Sequence, residues 1–136
     1  MKRIAFLLVI CLLCSFGTSI VSSAEENNIS SRLNNVNTVN CYFEISNNIA
    51  TSQVFVKGYA GVTTGITVKC TLEKRALLGL WWSDVNEWTA TSSSVTDTFT
   101  FTESVGSGTY RCSFEVTVYG SGGSADVVTD EITVKN

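Results

Sequence analysis

Apolar and polar side chains begin to alternate at residue 39, where Val39, Cys41, Phe43 and Ile45 are interleaved with Asn40, Tyr42 and Glu44. A period of two is what a strand needs when one face lies on a core and the other in water. Ser46-Asn47-Asn48 then predicts a tight turn, because Asn tolerates the left-handed backbone that hairpins demand. A second strand follows over 49–58, and the Gly-punctuated "GYAGVTTG" after it reads as a loop. The third strand has the cleanest alternation, with Ile66, Val68, Cys70 and Leu72 on one face and Thr67, Lys69, Thr71 and Glu73 on the other.

The next stretch, "EKRALLGLWW", is rich in helix formers. No capping residue introduces it and it is too short to separate two strands as a helix, so a strand end and a hairpin turn at Gly79 are predicted instead. The fourth strand covers 80–90 with a bulge, since Trp82, Val85 and Trp88 do not keep one parity. Val95, Asp97, Phe99 and Phe101 mark a fifth strand, with Thr96, Thr98, Thr100 and Thr102 between and after them. The sixth places Tyr110, Cys112, Phe114, Val116 and Val118 on one face, "GSGGS" interrupts, and a seventh runs over 125–134. Seven short strands with turn signals between them predict an all-β chain, an antiparallel sandwich or small barrel.

The first residues have a different character. Lys2 and Arg3 precede an apolar run from Ile4 to Phe16, and Ser22-Ser23-Ala24 supplies small residues for cleavage, so 1–24 reads as a secretory signal peptide. An uncleaved anchor and a lipoprotein are the alternatives; the run falls short of the roughly 20 residues that span a bilayer, and no small residue precedes Cys11 or Cys14. Residues 25–37 are polar and aperiodic and read as a flexible leader, with one sandwich domain over 38–136. The mature chain keeps seven basic and twelve acidic side chains, a net charge of −5. No basic cluster follows a phosphate backbone, so nucleic acid is not an expected partner. No later segment is apolar for long enough to span a membrane, so insertion of the mature chain is not expected either.

Composition narrows the chemistry further. The chain has no His, which removes Ser-His and Cys-His nucleophile pairs and imidazole metal sites. Asp126, Asp130 and Glu131 lack calcium-loop spacing and read as solubilising charges; no cofactor or metal is expected. Three cysteines remain after cleavage, Cys41, Cys70 and Cys112, which in an oxidising compartment predicts one disulfide and one odd thiol.

Within "SVGSGTYRCSFEVTVY", the run Ser107-Gly108-Thr109-Tyr110-Arg111-Cys112 resembles the sixth-strand signature of immunoglobulin-like domains, Asp-x-Gly-x-Tyr-x-Cys. That resemblance implies a short, C2-like sandwich of about seven strands over 50–134. It casts Gly108 and Tyr110 as fold-signature residues, with Tyr110 bonding back to upstream backbone at a corner. It casts Cys112 as one half of a cross-core disulfide. Cys70 lies 42 residues earlier and is the implied partner, with Trp81 and Trp82 following it by 11 and 12; Cys41 as partner and three free thiols remain alternatives. Two features depart from the signature: Gly106 replaces its acidic residue, and Cys70 falls on the third strand rather than the second. The chain is also similar to small secreted immunoglobulin-like proteins of Gram-positive bacteria that share a "GY-x-G" loop, a Trp-rich fourth strand and "GTYR". That group has no assigned activity, so the likeness implies no functional residue.

Trp81 and Trp82 are neighbours on a predicted strand, so they point to opposite faces and one of them is expected to be exposed. With Trp88 they are the candidate ligand-binding residues, able to stack on a sugar or anchor a protein; the competing reading buries one and tucks the other under a neighbour. The expected function is a secreted, non-catalytic binding or adhesion module for an extracellular protein or glycan. A small extracellular enzyme or inhibitor, or a structural surface-associated subunit, is the alternative.

Overall fold

A computed structural model describes residues 33–136. The predicted signal peptide and most of the predicted leader lie outside the described residues. Seven strands follow in order: β1 (Val36–Ser46), β2 (Ile49–Gly58), β3 (Thr63–Arg75), β4 (Trp82–Ser92), β5 (Thr96–Ser104), β6 (Thr109–Gly120) and β7 (Asp126–Lys135). Among the described residues there is no helix. The strands form two antiparallel sheets, β1-β2-β5 and β4-β3-β6-β7. Packed face to face they make an antiparallel β-sandwich, in which β4 extends the four-stranded sheet beside β3 rather than pairing with β5.

The period-two pattern explains which residues fill the interior. Val54 and Val56 from β2, Ile66, Val68, Cys70 and Leu72 from β3, and Cys112, Phe114, Val116 and Val118 from β6 are buried almost completely. These three strands are interior to their sheets or flanked on both sides, so their inward positions see no water. Edge strands are less apolar. On β7 the inward-facing partner of the buried Phe114 is Asp130, a charge on the inner side of an edge that discourages pairing with another sheet. The bulge in β4 lies opposite the step from Leu72 to Glu73, at Val85.

The sandwich begins earlier than the sequence predicts. Asn35 and Val36 fall within the predicted leader yet are fully buried. Asp126 explains why, because one carboxylate oxygen accepts the backbone N–H of Asn35 at 2.6 Å and that of Val36 at 3.0 Å. The Asn35 side chain in turn accepts from Gly122 N–H and donates to the Ser124 carbonyl, tying the entering chain to the β6–β7 turn.

The cross-core disulfide implied by the resemblance is not formed. Cys41, Cys70 and Cys112 are free thiols, and Cys70 and Cys112 belong to the same sheet. Cys70 is in register with Phe114, and Cys112 with Leu72, so the two cysteines are diagonal neighbours on one face. Diagonal Cα atoms stand about 7–8 Å apart, at or beyond the reach of an unstrained bridge. The residue that meets Cys112 from the opposite sheet is Ser52, whose Oγ lies 3.2 Å from the sulfur.

Candidate functional site

The corner that precedes β6 fixes one end of the sandwich. Tyr110 is buried, and its hydroxyl donates to the Gly106 carbonyl at 2.9 Å, as the resemblance implies. Gly108 has φ +150°, a backbone conformation that disfavours any other residue, and a Cβ there would meet Lys74 Cε at 2.7 Å and displace the end of that side chain. The Lys74 ammonium extends over the Tyr110 ring, 5.4 Å from its centroid. The β5–β6 corner and the end of β3 are thereby locked together.

Beside this corner the β3–β4 hairpin projects. Two backbone bonds close it: Ala76 N–H donates to the Trp81 carbonyl at 2.9 Å and Gly79 N–H to the Ala76 carbonyl at 2.8 Å. Gly79 closes the turn at φ +66°, a conformation costly for other residues. What remains outside is apolar. Leu77 is fully exposed, Leu78 72%, Leu80 74% and Trp81 56% exposed. Scattered exposed leucines are ordinary, but four large apolar side chains on one short turn form a contiguous patch.

Charges are layered behind the tip. Lys74 and Arg75 end β3 just below it, and Lys135 ends β7 at the same end of the sheet, in register with Thr109. None of the three is in an ion pair among the described residues. Carboxylates begin one residue pair further from the tip, where Glu73 faces Asp84. Between the hairpin and the β5–β6 corner lies an open cleft of about 750 Å³, lined by Lys74, Arg75, Ser83, Ser107 and Thr109 together with the turn residues Ala76, Leu77, Leu78 and Gly79.

The three tryptophans have three different fates. Trp81 is the exposed one. Trp82 starts β4 on the outer face of the sheet, where the Arg111 guanidinium lies 4.5 Å from its ring centroid and that of Arg75 5.9 Å away. Arg111 is itself held by Glu73 through bonds of 2.5 and 3.1 Å, with Glu131 at 3.5 Å. The hydrogen bond to Glu73 raises the guanidinium above its ordinary value, so it is a permanent cation over the indole. Trp88 turns inward, in register with Cys70, and stacks on Phe101 of the other sheet at 5.6 Å. The structure therefore does not bring the three candidates together. Neither Trp81 nor Trp82 is the core tryptophan, and Trp82 has a face already covered.

Two of the three thiols are pushed up and one is drawn down: the hydrogen bond from Cys70, and then that with Ser52, lower Cys112 against the opposing effect of burial, and Cys112 is fully buried. Burial, then the Asp130 carboxylate and Cys112, push the Cys41 thiol up to about 11. The hydrogen bond Cys70 shares with Cys112, and then burial, hold the Cys70 thiol protonated as well. Among the described residues no group of three His, Cys, Asp or Glu side chains is placed to hold a metal ion. No helix of the described residues is long and apolar enough to cross a membrane.

Sequence reasoning singled out Trp81 but passed over Leu77, Leu78 and Leu80. The signal was present: a hairpin turn is normally polar, so three leucines around Gly79 contradict turn chemistry unless they have work outside the fold. No protein-family model matches this sequence, and no curated protein matches it.

Proposed function

We propose that this protein is a secreted, non-catalytic binding module that attaches through the β3–β4 end of its sandwich. The observation that carries the reading is the exposed set Leu77, Leu78, Leu80 and Trp81 on a hairpin closed by two backbone bonds of its own. A loop that is ordered before contact gives up little conformational entropy on binding. Removing each such side chain from water contributes about 1.5–3 kcal/mol, so the four together supply enough for a specific attachment. The absence of His, the raised pKa of the half-buried Cys41 and the full burial of Cys70 and Cys112 support a non-catalytic role. Secretion rests on the first 24 residues, which lie outside the described residues.

The test compares cell-bound with released protein in the producing organism. Wild type is expected in the bound fraction, and a Leu77→Ser/Leu78→Ser/Leu80→Ser variant in the medium with an unchanged melting curve. Equal partition of the two would sink the reading.

A further inference from the structure

We infer that the occupant of this end is a lipid surface carrying anionic headgroups. The inference rests on the hairpin being the contact surface and adds what it contacts. Shape is the first argument. Leu77, Leu78 and Leu80 project from a turn with 72% or more of each residue exposed, Leu77 and Leu78 also bordering the cleft behind it, and apart from the Trp81 indole these side chains carry no polar group. A convex apolar crest requires either a matching pocket or a medium that closes around it. A bilayer boundary closes around any small apolar shape.

The order of chemistry along the hairpin is the second argument. Leucines come outermost, then Trp81, then Lys74 and Arg75, each beside an aromatic ring but in no ion pair, and only then the carboxylates Glu73 and Asp84. The same order runs outward from a leaflet: acyl chains, the level where an amphipathic indole settles, phosphates, and water. Lys135, on the edge strand β7 beyond β6, places a third cation at this end of the sheet, so half of the six basic side chains among the described residues lie at one end of an acidic protein. Their long stems let the charges reach phosphates while the stems stay on apolar surface.

The cleft behind the crest is the third. Lys74, Arg75, Ser83, Ser107 and Thr109 surround a space of about 750 Å³ that opens beside the leucines. A headgroup phosphate entering there meets two cations and three hydroxyls while the crest lies among the adjoining acyl chains. No spanning segment is needed, because only the hairpin enters the interface.

The experiment is flotation of the purified secreted chain with vesicles of phosphatidylcholine alone and of phosphatidylcholine with phosphatidylglycerol at two to one. Wild type is expected to float with the mixed vesicles with a blue shift of tryptophan emission, and to bind the neutral ones more weakly. Arg75→Gln with Lys135→Gln lowers affinity for the mixed vesicles by about tenfold or more and leaves the neutral ones unchanged. Leu77→Ser with Leu78→Ser removes binding to both; Leu77 is fully exposed, so the change does not threaten the fold. Failure to float with either vesicle at low salt overturns the inference, as does a leucine variant that binds like wild type. If cell retention still depends on the leucines in that case, the hairpin remains a contact surface for a protein; if it does not, the functional reading falls too.

Discussion

Ser52 of β2 and Cys112 of β6 face each other across the sandwich with Oγ and Sγ 3.2 Å apart. An inter-sheet disulfide of the kind the resemblance to immunoglobulin domains implies would cross the core between two such strands, and a hydroxyl stands on β2 where it would need a cysteine. Ser52→Cys is therefore expected to bridge to Cys112. The bridge closes a long loop, and the stabilisation is about 2–4 kcal/mol on the chain-entropy account. Intact mass under non-reducing conditions should show the loss of two hydrogens, and the melting temperature should rise by several degrees and fall back on reduction. A fully alkylatable variant with an unchanged melting curve would refute the assignment of Ser52 to that place.

Native thiols should resist modification for the opposite reason. Cys41 has a pKa of about 11, Cys70 is pushed up by its partner thiol and burial, and Cys112, drawn down by Cys70 and Ser52, is shielded by full burial, so iodoacetamide at pH 8 should label the folded chain slowly and the unfolded chain at three sites. The linkage has a definite sign. An unfolded thiol titrates near 9 while folded Cys41 holds its proton to about 11, so the stability this provides is complete below pH 9 and is lost as pH rises through 11. Urea midpoints measured across that window should fall, and Cys41→Ala should flatten the fall. A midpoint independent of pH in both proteins would contradict the burial of this thiol.

How far the sequence reaches depends on what each residue answers to. Val54, Ile66, Val68 and Phe114 obey the two-residue period, and the strands they belong to are legible because burial on one face is a local rule. Partner choice is not local. Cys70 and Cys112 alternate correctly on their strands, yet whether they face across the core or sit side by side depends on which strands share a sheet. The leader fails for a related reason: Asn35 is polar in sequence and buried in the fold because Asp126, 91 residues away, accepts its N–H. Trp82 reads as a candidate for ligand stacking until Arg111, from another strand, is found over its ring. The leucines of the hairpin were legible and needed only the question of what a turn does with them.

The corner provides a direct test of how the β5–β6 end is held. Tyr110→Phe keeps the buried ring and removes only the bond from its hydroxyl to the Gly106 carbonyl, and should cost about 1–2 kcal/mol. Gly108→Ala adds a Cβ where Lys74 already lies and where φ is +150°, and should cost about 1–3 kcal/mol. Equilibrium denaturation measures both. Because the tyrosine, the glycine and Lys74 share one contact, the double variant should lose less than the two single losses combined; strict additivity would show that the corner is not one unit.

The amino-terminal clamp is the clearest case of a polar group that the fold requires. Asp126 is buried and accepts from two backbone N–H groups, and neither Asn35 nor Val36 has access to water as a substitute. Asp126→Ala leaves both donors buried and unpaired, at about 1–3 kcal/mol for each. The loss should appear as a lowered denaturation midpoint together with fast hydrogen exchange at Asn35 and Val36. Asp126→Asn retains one acceptor oxygen in nearly the same place and should recover part of the midpoint, because the requirement is for an acceptor and not for a charge. A chain that begins at residue 38 lacks Asn35 and Val36 altogether, and should be less stable than one that begins at residue 33. If the two truncations melt together, the clamp contributes nothing to the fold.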